Sequence, residues 1–181
     1  YYTVAERMQA RDYEPRKQMY KTLLSMMMRT IKASGLNWER VEIPFEGSSF
    51  PALFIPGEGE GPRPTVVFCN GLDSIKEIIA LTVADTFAKR GISVLAVDQP
   101  GVGEALRLNG LHAIYDTERW AGAAVDVLEN RADVDKSKIG MTGWSMGGYY
   151  APRATIYDKR FKLCAVWGGN HAWGELQSRR L

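Results

Sequence analysis

The chain has 181 residues, 45% hydrophobic and 24% charged, with a net charge of +2 from 23 basic and 21 acidic residues. That length can bury a real core within one domain, and the composition is that of an ordinary globular chain. The charges are mixed along the sequence, leaving no basic footprint for nucleic acid or an anionic membrane, so neither is expected as a partner. Pairs such as Arg16-Lys17 and Arg179-Arg180 read as solvated surface. No stretch approaches the roughly 18 apolar residues of a membrane span. Cys69 and Cys164 each lie inside an apolar run and read as buried free thiols, which points to a reducing, cytoplasmic compartment. The chain opens YYTVAERM without an initiator methionine, so the absence of a targeting segment carries little weight.

Residues 3–34 are rich in Ala, Met, Leu, Arg and Lys and read as helical, interrupted by Pro15 and stopped by Gly35. The Met26-Met27-Met28 run reads as adaptable packing at a contact. WERVEIPF and FPALFIP read as two strands of a hairpin joined by the turn-like EGSS, and GEGEGPRP reads as a loop. TVVFCN (65–70) is a continuous apolar strand ending in Asn70-Gly71-Leu72-Asp73. Ser74 can cap a helix running to about Arg90, with Gly91 at its end. ISVLAVD (92–98) is a second buried strand, followed by Gln99-Pro100-Gly101-Val102-Gly103. A helix is expected at about 117–131, a short strand at 138–143, a helix from Met146 and a further strand at 162–168. Strands and helices alternating in this way, with Val, Ile and Leu buried on both faces, predict an α/β fold: a mostly parallel sheet with helices on both sides.

Gly143-Trp144-Ser145-Met146-Gly147 matches G-x-S-x-G and lies between a short apolar strand and a helix-forming stretch. A serine hydroxyl is a poor nucleophile unless it is exposed, aimed and given a base. A sharp strand-to-helix turn lifts Ser145 above the carboxyl edge of the sheet, and Gly143 and Gly147 are needed where side chains would collide. The helix that begins there turns its free N–H groups toward developing negative charge. Ser145 is therefore the candidate nucleophile, on an elbow of Gly143, Trp144 and Gly147. Oxyanion donors are expected from the backbone N–H groups of Met146 and Leu72. Asp73 could shape the loop, touch substrate or cap the next helix, and Pro152 is expected to kink the following helix.

Two competing motifs are weaker. Gly101-Val102-Gly103 follows a strand, but Leu106 stands where a dinucleotide fingerprint has its third glycine. His112 and His171 stand far apart with no cysteine pair nearby, so no metal and no cofactor are expected.

The segments NGLDSIKE, KRGISVLAVDQPGVGEALR and GMTGWSMGGYYAPRAT resemble the branch of α/β-hydrolases that includes 2,6-dihydroxypseudooxynicotine hydrolase. More closely, they resemble the fungal hydrolases that shorten polyketide side chains in pigment pathways. The resemblance covers about residues 5–181 and carries the nucleophile onto Ser145. It implies an α/β-hydrolase core from residue 37 onward, preceded over 1–36 by the end of a helical cap. It also implies a small-molecule substrate and hydrolysis of a carbon–carbon bond next to a carbonyl.

The expected order Ser…Asp/Glu…His places the acid and the histidine after the nucleophile. Only residues 146–181 follow Ser145, and His171 and Glu175 are the candidates there. A compressed triad is possible, but a pocket-lining or surface role for His171 and Trp173, beside Asp73 and Trp144, is the favoured reading. The fold is therefore read as truncated, and the sequence as part of a larger hydrolase. The runners-up are a carboxylic ester hydrolase and a non-catalytic truncated product, whose open sheet edge after residue 168 would favour association, with a homo-oligomer left open.

Overall fold

A computed structural model describes residues 13–169 and 172–178. Helix α1 (Tyr13–Ala33) is followed by a hairpin of β1 (Glu39–Phe45) and β2 (Ser48–Ile55). Its turn is shorter than EGSS suggests. Glu46 and Gly47 both adopt positive φ, +49° and +76°, as a two-residue turn matched to strand twist requires. Ser48 and Ser49 are already paired with Phe45 and Pro44.

Strand β3 (Arg63–Cys69) leads into a helix built in three stretches: α2 (Lys76–Ile79), a π-helical turn (Ala80–Ala84) and α3 (Asp85–Ala88). Ser74 does not cap it. The residue before the helix is Ile75, with no side-chain cap, and the Ser74 hydroxyl is buried with no partner among the described residues. Next come β4 (Ser93–Val97), a short helix α4 (Gly103–Arg107) absent from the sequence reading, α5 (Glu118–Glu129) and β5 (Val134–Trp144). Helix α6 (Gly147–Tyr157) continues past Pro152, and β6 (Phe161–Trp167) and α7 (Trp173–Ser178) complete the order.

The six strands form one sheet in the order β1-β2-β4-β3-β5-β6. The β1–β2 and β2–β4 pairs are antiparallel, whereas β3–β4, β3–β5 and β5–β6 are parallel. Alternate residues of each strand feed opposite faces. Ala52, Phe54, Val67, Cys69, Leu95, Val97 and Met141 pack beneath α5 and α6, which contribute Trp120, Ala124, Leu128, Ala151 and Ala154. Leu53, Ile55, Val66, Phe68, Val94 and Ala96 pack on the other face against Ile79, Ala80 and Ala84, with Ile31 of α1. Burial on both faces explains why these strands read as unbroken apolar runs.

Trp120 anchors the first face. It is 1% exposed and meets Phe50 and Tyr150 edge to face at centroid distances of 6.4 and 6.2 Å. Trp120→Ala is expected to destabilise the fold by about 3–5 kcal/mol, because a close-packed site this large collapses only partly. A urea midpoint shift equivalent to less than about 1 kcal/mol would contradict that reading.

Strand β6 is the outer strand among the described residues, and residues 162–165 are exposed. Cys164 is accordingly exposed, contrary to the expectation that both thiols are buried; Cys69 is buried. The difference follows from position, since β3 lies inside the sheet and β6 has a neighbour on one side only. Among the described residues no helix is long and apolar enough to cross a membrane.

Candidate functional site

The parallel strands β3, β4 and β5 end together, Cys69 opposite both Val97 and Gly143. Their continuations, Asn70-Gly71, Asp98-Gln99 and Ser145, therefore share the carboxyl edge of the sheet. This is where ligand crevices form in open parallel sheets.

Ser145 sits at φ +53°, a left-handed conformation costing an L-residue about 1–2 kcal/mol. The turn is held by the Ser145 N–H donating to Trp167 O at 2.8 Å and the Gly148 N–H donating to Ser145 O at 2.9 Å. A Cβ on Gly143 would stand 2.6 Å from Cys69 Sγ, and one on Gly147 would stand 2.6 Å from Cys69 O and 2.8 Å from Asn70 O. Strand β5 and helix α6 thus meet the end of β3 too closely for any side chain at either position. The outcome is an exposed serine between a half-buried Trp144 and a buried Met146, which is 5% exposed.

Gly71 faces this serine. A Cβ there would lie 3.1 Å from Ser145 Cβ and 3.5 Å from its Oγ, so the bare backbone of the β3–α2 loop approaches the hydroxyl. Leu72 is 54% exposed at the rim, and Asp73 is also exposed. Of the remaining expected site residues, Trp144 packs against Phe68 and Trp167 at 5.2 and 6.2 Å, as part of the aromatic cluster on one sheet face. His171 lies outside the described residues, as does the side chain of Trp173. Cys69, beside the elbow, is an inert thiol, because burial pushes its pKa far up.

Sequence reasoning missed the buried charge cluster next to this loop. Lys76 Nζ, 0% exposed, reaches Glu77 at 2.9 Å, Asp98 at 3.0 Å and Glu104 at 2.8 Å. Arg40 of β1 adds a two-pronged contact to Glu104, at 2.7 and 2.8 Å. Burial works against the Lys76 charge, but Asp98, Glu77 and Glu104 together hold its pKa above the ordinary lysine value. Burial likewise works against an ionised Glu104, and Arg40 and Lys76 overrule it, holding this carboxyl below the usual range. For Glu77 burial prevails and its pKa is raised. Helix α1 covers the cluster with Tyr20, which is 0% exposed; its ring lies 5.6 Å from the Arg107 guanidinium. Among the described residues no group of His, Cys, Asp and Glu is arranged to hold a metal ion.

A mostly parallel sheet with antiparallel strands at one edge, helices on both faces and a strand–serine–helix elbow is the α/β-hydrolase fold. The sequence profile described as Esterase FrsA-like matches residues 23–172. The chain belongs to that family. It is 32% identical over 131 residues to the 2,6-dihydropseudooxynicotine hydrolase of Paenarthrobacter nicotinovorans, covering 72% of this chain and 35% of that protein. To the hydrolase pyiE of Pyricularia grisea it is 30% identical over 159 residues, covering 81% and 33%. The crystal structure of the 2,6-dihydroxy-pseudo-oxynicotine hydrolase superposes with a TM-score of 0.79 at 27% identity, covering 91% of this chain and 47% of that one. The chain spans about a third of the length of the curated relatives it matches.

Proposed function

We propose that this chain carries the nucleophile of a serine hydrolase that cleaves an acyl carbon–carbon bond of a ketone- or polyketide-type substrate. The observation that carries the reading is Ser145, exposed, left-handed and faced by the bare backbone of Gly71, where a Cβ would stand 3.5 Å from its Oγ. In this reading Ser145 Oγ attacks the substrate carbonyl, and its proton passes to a histidine held by a carboxylate. The N–H groups of Leu72 and Met146 stabilise the tetrahedral oxyanion, and the bond to the neighbouring carbon breaks to leave an enolate that is protonated as the ketone. Water then releases the acyl group from Ser145.

Residues 1–36, of which 1–12 lie outside the described residues, are taken in the same reading as the end of a cap, which the burial of Tyr20 beside the β3–α2 loop supports. A cytoplasmic location is supported by the two free thiols, Cys69 and Cys164.

The resemblance of NGLDSIKE and GMTGWSMGGYYAPRAT to the polyketide-shortening hydrolases favours carbon–carbon cleavage. The esterase description of the family favours a second reading, carboxylic ester hydrolysis, by the same constellation. The two differ in leaving group. The intact protein, incubated with benzoylacetone and with p-nitrophenyl butyrate, is expected to convert the diketone to a monoketone and a carboxylate, followed by mass spectrometry. Turnover of the ester with the diketone untouched would establish the second reading and end the first.

A further inference from the structure

The segment from Asn70 to Lys76 is an arch with both feet tied to the end of β4. At the first foot, Gln99 Nε2 donates to Asn70 O at 2.9 Å and Gln99 Oε1 accepts the Asn70 N–H at 3.0 Å. A side chain thereby continues the β3–β4 ladder one residue beyond the Cys69–Val97 pair. Asn70 Nδ2 donates to Val97 O at 2.8 Å and to Asp98 Oδ1 at 3.3 Å. At the second foot, Asp98 Oδ1 accepts the Lys76 backbone N–H at 2.7 Å. Asp98 Oδ2 accepts Lys76 Nζ at 3.0 Å and the Glu104 N–H at 2.9 Å.

One carboxylate therefore grips both feet. Asn70, Lys76, Asp98 and Gln99 are all 0% exposed, so water does not compete for these bonds. The turn after β4 closes on the carboxylate from the other side, since a Cβ on Gly103 would lie 2.2 Å from Asp98 Cγ. Between the feet, Gly71 faces Ser145, where a Cβ on it would stand 3.1 Å from Ser145 Cβ, while Leu72 and Asp73 are exposed. A free loop with these residues would sample many conformations, and here its ends allow it few. A cluster of buried ions gives little net stability over an apolar packing of the same volume. Its place at the feet of the loop facing the serine fits a geometric task better than a stabilising one.

We propose that Asp98 and Gln99 are positioning residues. They hold the Asn70–Lys76 arch so that the Leu72 N–H stays aimed at the oxyanion formed when Ser145 attacks. The inference rests on the serine hydrolase reading above. An oxyanion donor has to stand about 2.7–3.1 Å from the developing charge, and losing one costs roughly 10²–10³ in kcat. A loosened arch is expected to forfeit part of that.

Asp98→Asn keeps the side chain's shape without its charge; Gln99→Met keeps its length without either hydrogen bond. In the intact protein both are expected to lower kcat for p-nitrophenyl butyrate, per serine titrated by a fluorophosphonate, by about 10–100-fold with KM within about threefold. The second-order rate of fluorophosphonate labelling should fall by a similar factor. A purely structural role would reduce the melting temperature and the number of titratable serines, leaving kcat per serine unchanged. Kcat within twofold of the parent, or a loss confined to KM, overturns the positioning role while the hydrolase reading stands. Persistent turnover in Ser145→Ala overturns both. If Asp98→Asn does not fold, Gln99→Met strands no charge and decides the matter alone.

Discussion

Ser145→Ala is expected to abolish covalent labelling by a fluorophosphonate and to lower kcat for ester or diketone hydrolysis by about 10⁵–10⁶-fold, with a melting temperature within a few degrees of the parent. The asymmetry follows from the elbow. Gly143, Gly147 and the Ser145 N–H bond to Trp167 O hold the turn, and none of them involves the hydroxyl. Alanine also bears the left-handed φ of +53° no worse than serine does. Chemistry is therefore lost without the fold. Intact-mass spectrometry after labelling reads the first effect and thermal unfolding the second. Undiminished labelling in the variant would show that another residue is the nucleophile and end the reading built on this turn.

Lys76→Met is expected to destabilise the protein by about 3–5 kcal/mol near pH 7, the range found when one partner of a buried ion pair is removed. The ammonium lies 2.8–3.0 Å from Glu77, Asp98 and Glu104. Without it these carboxylates face one another in a buried site, and Glu104 keeps Arg40 as a partner. The pH dependence provides a sharper check. In the parent, Glu104 titrates below its unfolded value, so its stabilisation is present above the unfolded carboxylate pKa and is lost as pH falls through the folded one. Glu77, raised by burial, acts in the opposite sense. In the variant the ammonium no longer opposes burial at Glu77 and no longer helps Arg40 to hold Glu104 down, so protonation on acidification restores part of the lost stability. The gap between parent and variant should narrow from pH 7 to pH 5 in urea unfolding. A gap below about 1 kcal/mol, or one constant with pH, would show that Lys76 does not compensate the cluster.

The elbow and the arch differ in how they are encoded. Gly143, Ser145 and Gly147 carry their constraint at i±2, within a single strand–turn–helix, so the collisions that demand glycine are implicit in the local pattern. The arch depends on partners far apart in the chain. Asp98 lies 22 residues beyond Lys76 and Glu104 lies 28 beyond it, and Arg40 lies 64 residues before Glu104. A charged residue in a sequence reads by default as surface, and only the stacking of β1, β4 and α4 around the β3–α2 loop buries Lys76, Asp98 and Glu104 and half-buries Arg40. Gln99 bonding to the Asn70 backbone is equally invisible, since nothing in Asp98-Gln99-Pro100 marks the side chain as an extra rung of the sheet.

The same division holds through the fold. The runs TVVFC and SVLAV are covered on both faces, so composition alone identifies them as interior strands. β5 begins earlier than its apolar portion, at Val134 rather than 138, because Asp135, Lys136 and Ser137 extend past the covered sheet and keep polar side chains. Cys69 and Cys164 occupy similar apolar contexts, and their burial is opposite because strand order places β3 inside and β6 outside among the described strands. By itself the sequence determined the alternation of strands and helices and the serine turn, because both follow from periodicity and steric demands over a few neighbouring residues. Only the tertiary structure decided which charges are buried and which of the two thiols is covered. Those depend on the order in which strands lie side by side, which no local pattern contains.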